Sequence, residues 1–391
     1  MTNEALTVAA VCDEARQRAG GLDDVDGGQF TEGLERFVAA LNAEAELNDI
    51  GRLIASERAV GHVTNRLRYV DDRRRHPDMA AETIERPVFI IGMPRTGTTI
   101  LHDILGQDPA NRTPMTWEVM FPSPPPEADT FSTDARIAAC DATFPSVDLQ
   151  IPAFKAMHPM GATLSQECVT MMGESMVTPL FHNQFRVPSY QDWVDDEADW
   201  TAVYTFHHTQ LQHLQWHNRR DRWVLKTGAH LWGLARLLKV YPDARIVFTH
   251  RDPVKSMTSY ASLTSLVRSM GSDRVDPVEV AEDWTGRLRR MLMRGVEVRR
   301  TGSYPDAVFY DMYFPDFIAD QFAEVEKIYD ALGLPLHGEA ADAMRVFIAD
   351  NPPGRHGIHR YAPEEFGVDP QRVRAAFGDY IDHFSLAPEE L

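Results

Sequence analysis

Cysteine is scarce in this chain: three residues among 391, Cys12, Cys140 and Cys168, with no C-x-x-C spacing. That excludes a disulfide framework and leads us to expect a reducing, cytoplasmic setting. Positive charge is short as well. Lys and Arg number 39 against 58 Asp and Glu, a formal net charge of −19, which counts against nucleic acid or an acidic membrane as the partner. An anionic ligand must therefore be met by a local basic pocket inside an acidic protein. No apolar run approaches the roughly 18 residues of a membrane span, and Met1-Thr2-Asn3-Glu4 has no basic leader character. Internal repeats are absent. His207, His208, His213 and His217 cluster, with His213 and His217 one helical turn apart, but no His-Glu-x-x-His pattern surrounds them. No metal is expected.

What is present is an ample apolar fraction, 43%, and one informative stretch from Arg86 to Thr99. Val88 to Ile91 is a β-branched and aromatic run, the signature of a buried strand. Gly92 and Gly97 then bracket a tight loop, and Thr98-Thr99 opens a helix with Ile100, Leu101, Ile104 and Leu105 on one face. A strand, a glycine-bearing loop and a helix N-terminus aim several backbone N–H groups at one point, which makes an anion cradle. A P-loop NTPase needs G-x-x-x-x-G-K-[ST], with Lys reaching the β- and γ-phosphates. Here Thr98 stands at the Lys position and the cation, Arg95, lies inside the loop.

The run Pro94-Arg95-Thr96-Gly97-Thr98-Thr99-Ile100-Leu101 resembles the first signature of the sulfotransferase family, whose donor is 3′-phosphoadenosine-5′-phosphosulfate (PAPS). A second signature follows. Arg222 to Lys226 has a strand pattern, and Ala244 to His250 is another strand pattern running straight into Arg251, with Ser259 eight residues later. In the family an Arg and a Ser at this spacing hold the donor's 3′-phosphate, a planar fork joined by a neutral donor from the next helix. The resemblance is closest to the bacterial branch with Pro-Arg-Thr-Gly-Thr-Thr loops and spans about Phe30 to Phe384. Further landmarks are Asn65-Arg66-Leu67, Thr116-Trp117-Glu118, Pro122 to Pro126, His158-Pro159-Met160, Glu167-Cys168 and Gly357 to Gly367. One departure is Lys226-Thr227-Gly228-Ala229-His230, where that branch carries Lys-Ser-Pro-x-His; losing the Pro predicts a looser turn.

The resemblance implies a site. Thr96, Gly97, Thr98 and Thr99, with Arg95, would cradle the 5′-phosphosulfate; Arg251 and Ser259 would take the 3′-phosphate, and Arg355 or Arg360 would close over it. Arg95 and Lys226, at strand C-terminal ends, are the expected stabilisers of charge on the departing phosphate. Glu118 is the preferred general base, desolvated by Trp117 so that its pKa rises, and His158 is the rival. Glu167 would orient either His158 or the acceptor. The acceptor is a small-molecule hydroxyl: lipid, sterol, sugar or aromatic alcohol. The product is adenosine-3′,5′-bisphosphate. Two other readings stay open, a P-loop kinase or NTPase and a non-catalytic nucleotide-binding module.

The expected architecture is α/β, a P-loop-like parallel β-sheet flanked by helices with a helical N-terminal extension. Residues 1–85 would form the helical region packed on the core and residues 86–391 the α/β domain. Phe30 to Leu41 has helical spacing, and the basic run ending at Arg73-Arg74-Arg75 is expected as a solvated helix end. Ala307 to Tyr310 supplies a fourth strand and Asp320 to Leu332 a helix, followed by a polar tail rich in Gly, Pro and His.

Overall fold

The structure, a computed structural model, describes residues 5–144, 160–304, 307–352 and 362–389. Its centre is a five-stranded, all-parallel sheet in the order β2-β3-β1-β4-β5. The strands are β1 (Val88–Gly92), β2 (Asn111–Arg112), β3 (Arg222–Lys226), β4 (Arg245–His250) and β5 (Val308–Tyr313). Strand β1 is central, with Ile90 opposite Lys226 on one side and Ile91 opposite Phe248 on the other. The three inner strands β1, β3 and β4 are almost wholly buried, which is why they appear in the sequence as short apolar runs rather than alternating ones.

Period-two alternation decides which core each residue joins. Phe89, Ile91, Leu225, Ile246 and Phe248 face the larger cluster; Val88, Ile90, Val224, Val247 and Met312 face the smaller one. The smaller cluster is closed by helix α4 (Thr98–Leu105) through Leu101, Ile104 and Leu105, and by helix Gln321–Ala331 through Val325 and Ile328. The larger cluster takes in the N-terminal helices α1 (Val8–Arg18), α2 (Gln29–Glu44) and α3 (Asp49–Arg75). Phe37 of α2 and Val63 of α3 belong to the same apolar cluster as Phe89 of β1, so the N-terminal helices share their core with the sheet.

Two expectations need correction. The basic run on α3 is not uniformly solvated. Arg66 is buried beneath the Phe206 ring, 3.8 Å from its centroid, and donates to the carbonyls of Val25 and Glu174; burial draws its pKa down to about 10. Only Arg74 and Arg75 at the end are exposed. The described part of the polar tail also contributes regular structure and core residues. It holds helices Gly338–Asp350, Pro370–Ala376 and Gly378–Phe384, and Val373, Phe377, Tyr380 and Phe384 reach into the larger core.

Candidate active site

All five strands point the same way, so their C-terminal ends form one edge, where open α/β sheets gather ligand-binding loops. The loop after β1 sits between the ends of β3 and β4 because β1 lies between those strands. Its backbone is constrained. Gly92 has φ 147°, and a Cβ there would stand 2.2 Å from the Thr249 hydroxyl; Gly97 has φ 87° and would place a Cβ 3.0 Å from the Phe314 ring. Arg95 also adopts a left-handed conformation, φ 69°. Thr96 turns inward: its hydroxyl donates to Met93 O at 2.7 Å and lies 2.5 Å from Thr249 Oγ1, so its side chain ties the loop together and only its backbone faces a ligand's side. Thr98 and Thr99 form the first turn of α4, whose leading N–H groups have no partner four residues earlier.

On the β4 flank three polar groups meet. Arg251 follows β4, and its guanidinium lies 3.9 Å from the centroid of the Phe314 ring while Nη1 donates to Arg95 O at 2.9 Å. Ser259 Oγ, on helix Pro253–Arg268, accepts from Arg95 Nε at 3.0 Å. The Nε edge of Arg95 is thus turned toward Ser259 on the β4 flank. Arg251 carries a further partner that nothing in the sequence pointed to. Glu389 takes Nε at 2.9 and 3.1 Å and Nη2 at 2.9 Å, a two-oxygen grip on the side of the guanidinium.

On the β3 flank stands Lys226, 2% exposed, with Nζ 3.1 Å from Thr99 Oγ1 and 2.5 Å from Glu167 Oε1. The Glu167 side chain is 25% exposed, so this pair opens toward solvent. Asp103 shares the neighbourhood, one turn beyond Thr99 on α4. Burial raises its carboxyl to about 6, against the pull of Lys226 and a hydrogen bond from Ser165. Burial, with the Lys226 charge adding to it, pushes neighbouring His102 down to about 3. The turn after Lys226 is tight, not loose. Thr227 Oγ1 accepts from Ala229 N, and a Cβ on Gly228 would stand 2.5 Å from Gly92 O, so glycine lets this turn pack directly against the end of β1. His230 is fully buried beside the Tyr204 hydroxyl, and burial holds its pKa well below the usual imidazole value.

The preferred base is placed differently from the expectation. Glu118 has no exposure, and its two oxygens accept from Arg112 Nη1 and Nη2 at 2.8 Å each; Oε1 also accepts from Met115 N, capping its own short helix Thr116–Met120. A general base must reach the proton that it removes, and this carboxylate is spent on a sealed ion pair. Trp117 packs against Phe131 and lies under Arg136. His158, Arg355 and Arg360 lie outside the described residues. The histidine cluster is dispersed in function: His207 meets the Tyr241 hydroxyl, His213 the Pro122 carbonyl and His217 the Glu127 carboxylate. Among the described residues no group of three or more His, Cys, Asp or Glu is placed to hold a metal.

Comparison with known proteins bears on this geometry. A model of the sulfotransferase family matches residues 87–338. The chain is 24% identical over 316 residues to omega-hydroxy-beta-dihydromenaquinone-9 sulfotransferase Stf3 of Mycobacterium bovis and of Mycobacterium tuberculosis, covering 78% of this chain and 76% of theirs. Its structure superposes on that of sulfotransferase STF9 from Mycobacterium avium with a TM-score of 0.87 and 28% identity, covering 100% of both chains. Sulfotransferase STF1 from Mycobacterium tuberculosis gives a TM-score of 0.85 at 29% identity, over 97% of this chain and 100% of that one.

Proposed function

The chain belongs to the sulfotransferase family, and from that premise we propose that it moves a sulfuryl group from PAPS to the hydroxyl of a lipid-like alcohol in one in-line displacement. The observation that carries this reading is the division of cations around the β1 loop. Arg95 and Arg251 converge with Ser259 on the β4 flank, while Lys226, paired with Glu167, stands on the β3 flank against the first turn of α4. A donor with two anionic ends matches two such groups. Arg251, Ser259 and Arg95 would take the 3′-phosphate, and the loop amides with Thr98 and Thr99 would take the 5′-phosphosulfate.

Glu167 replaces Glu118 as the base in this scheme, because it is the partly exposed carboxylate beside Lys226. It would accept the acceptor's hydroxyl proton as the acceptor oxygen bonds to sulfur. The sulfur–oxygen bond to phosphate breaks with its electron pair passing to the 5′-phosphate oxygen, and Lys226 would stabilise the charge that gathers there. Leu164, three residues before Glu167 and 37% exposed, offers apolar surface near the base. The name of Stf3, which gives a hydroxylated menaquinone as that enzyme's substrate, also favours a lipid acceptor.

The kinase or NTPase reading fares worse. Beyond the missing loop Lys, Asp252 after β4 already caps Val254 N, pairs with Arg374 at 3.0 Å and accepts from Glu389 N, which leaves it poorly placed as a magnesium ligand. Two measurements test the proposal. Calorimetry should show adenosine-3′,5′-bisphosphate binding far better than 5′-AMP or ATP with magnesium. Radiolabelled PAPS should transfer label to a lipid extract in preference to sugars. Tighter ATP–magnesium binding with no label transfer would reverse the assignment.

A further inference from the structure

The β4 flank already contains an anion. Glu389 grips the side of the Arg251 guanidinium with both carboxylate oxygens, at 2.9 to 3.1 Å. The contact is built rather than incidental. After helix Gly378–Phe384 the chain turns through Ser385 at φ 52°, and Leu386 N bonds back to Ile381 O at 3.0 Å while its side chain packs against the larger core. Glu389 N then donates to Asp252 Oδ2 at 2.9 Å, and Asp252 is itself fixed by Arg374 and by capping helix Pro253–Arg268. The segment is pinned at both ends, and Phe314 forms the platform beneath Arg251. Arg251 and Glu389 are about equally shielded, 18% and 21% exposed, so the pair is neither sealed in the interior nor fully washed by solvent.

We propose that Glu389 is an internal competitor for the donor's 3′-phosphate, an autoinhibitory latch that must release Arg251 before the donor seats. The inference rests on the assignment of Arg251 to the 3′-phosphate. A carboxylate and a phosphate can each accept two hydrogen bonds from the planar guanidinium fork, and two anions pressed against the same Nε–Nη2 edge repel each other. The latch makes donor binding an exchange of one anion for another. It lowers affinity for any ligand that brings a 3′-phosphate and leaves ligands without one untouched, so it narrows the margin by which the bisphosphate is preferred over 5′-nucleotides and eases release of the bisphosphate product.

The test is calorimetric titration of the full chain with adenosine-3′,5′-bisphosphate and, separately, 5′-AMP. Glu389→Gln should bind the bisphosphate about five- to tenfold more tightly than wild type, the range expected when a half-shielded ion pair no longer has to be broken. Binding of 5′-AMP should not change. Glu389→Ala should behave alike, and melting curves of both variants show whether the fold is kept. In an Arg251→Ala background the Glu389 substitution should have no effect. Unchanged or weaker bisphosphate binding by Glu389→Gln, or equal tightening of 5′-AMP, overturns the latch while leaving the donor site standing. A wild-type protein that does not prefer bisphosphate to 5′-AMP overturns the donor-site assignment itself, and the latch with it.

Discussion

Two of the cation–carboxylate pairs on the β3 side of the molecule, Arg112–Glu118 and Lys226–Glu167, differ in what surrounds them. Arg112 and Glu118 are 2% and 0% exposed; Arg112 also donates to the carbonyls of Asn218 and Leu214 and lies 4.4 Å from the Trp223 ring centroid. Each polar direction of that pair ends inside the protein. Lys226 is buried just as deeply, yet its partner Glu167 is a quarter exposed, and Lys226 also reaches Thr99 in the first turn of α4. The first pair is a saturated brace between β2 and a short helix. The second is a charged couple that opens at the strand edge. Sequence position alone made Glu118 the better candidate; its complete burial against Arg112 is what moves the proposed role to the partly exposed Glu167.

The largest effects test that contrast directly. Glu167→Gln keeps the shape and removes the proton acceptor, so turnover should fall about 10²–10⁴-fold with little change in melting temperature. Glu118→Gln should do the opposite. Leaving Arg112 buried with half its partner gone should cost about 3–5 kcal/mol of stability, read by denaturant titration, while the folded fraction keeps most of its turnover number. A stable, inactive Glu118→Gln alongside an active Glu167→Gln would exchange the two roles.

The β4 flank gives the next effects. Removing a charge-assisted contact of about 1.5–3 kcal/mol, Arg251→Ala should weaken bisphosphate binding about ten- to a hundredfold. Arg95→Met is expected to be milder, about three- to tenfold in product affinity, the cost of about one hydrogen bond. Since Arg95 Nε faces Ser259, that variant should change affinity more than turnover at saturating donor. A collapse of turnover with unchanged affinity would instead return Arg95 to the loop mouth during reaction.

Much of this site was legible because its parts are local. β1, β3 and β4 are short buried runs with glycine or charge at their ends, and the Arg251 to Ser259 spacing needs only a strand followed by a helix. The rest depends on contacts between segments far apart in the chain. Arg112 lies only six residues before Glu118, but nothing local says that its guanidinium folds back between Trp223 and Phe131. Glu389 meets Arg251 across 138 positions of sequence. The helices from Gly338 onward were hidden by composition: Gly, Pro and His mask the spacing of Val373, Phe377, Tyr380 and Phe384, which are nonetheless core residues. Gly228 misled in the other direction, since its value lies in the close approach to Gly92 O rather than in looseness.

The smallest expected effect concerns the second carboxylate near Lys226, Asp103. Burial lifts the Asp103 carboxyl from the usual 3.8 to about 6 in the folded protein, despite the opposing Lys226 charge. A raised acid favours the folded state while protonated. Its contribution is therefore fully present below about pH 4, declines as pH rises to about 6, and is absent above that. The shift corresponds to at most about 3 kcal/mol, and Asp103 is only partly buried by its neighbours, so solvent screening brings the figure down to about 1 kcal/mol. Asp103→Asn cannot titrate. Relative to wild type, its melting temperature should rise with pH between about 4 and 6 and then run parallel above 6. A difference that is flat across that window would mean that the folded carboxyl titrates in its ordinary range, and that the Lys226 charge offsets the effect of burial on Asp103.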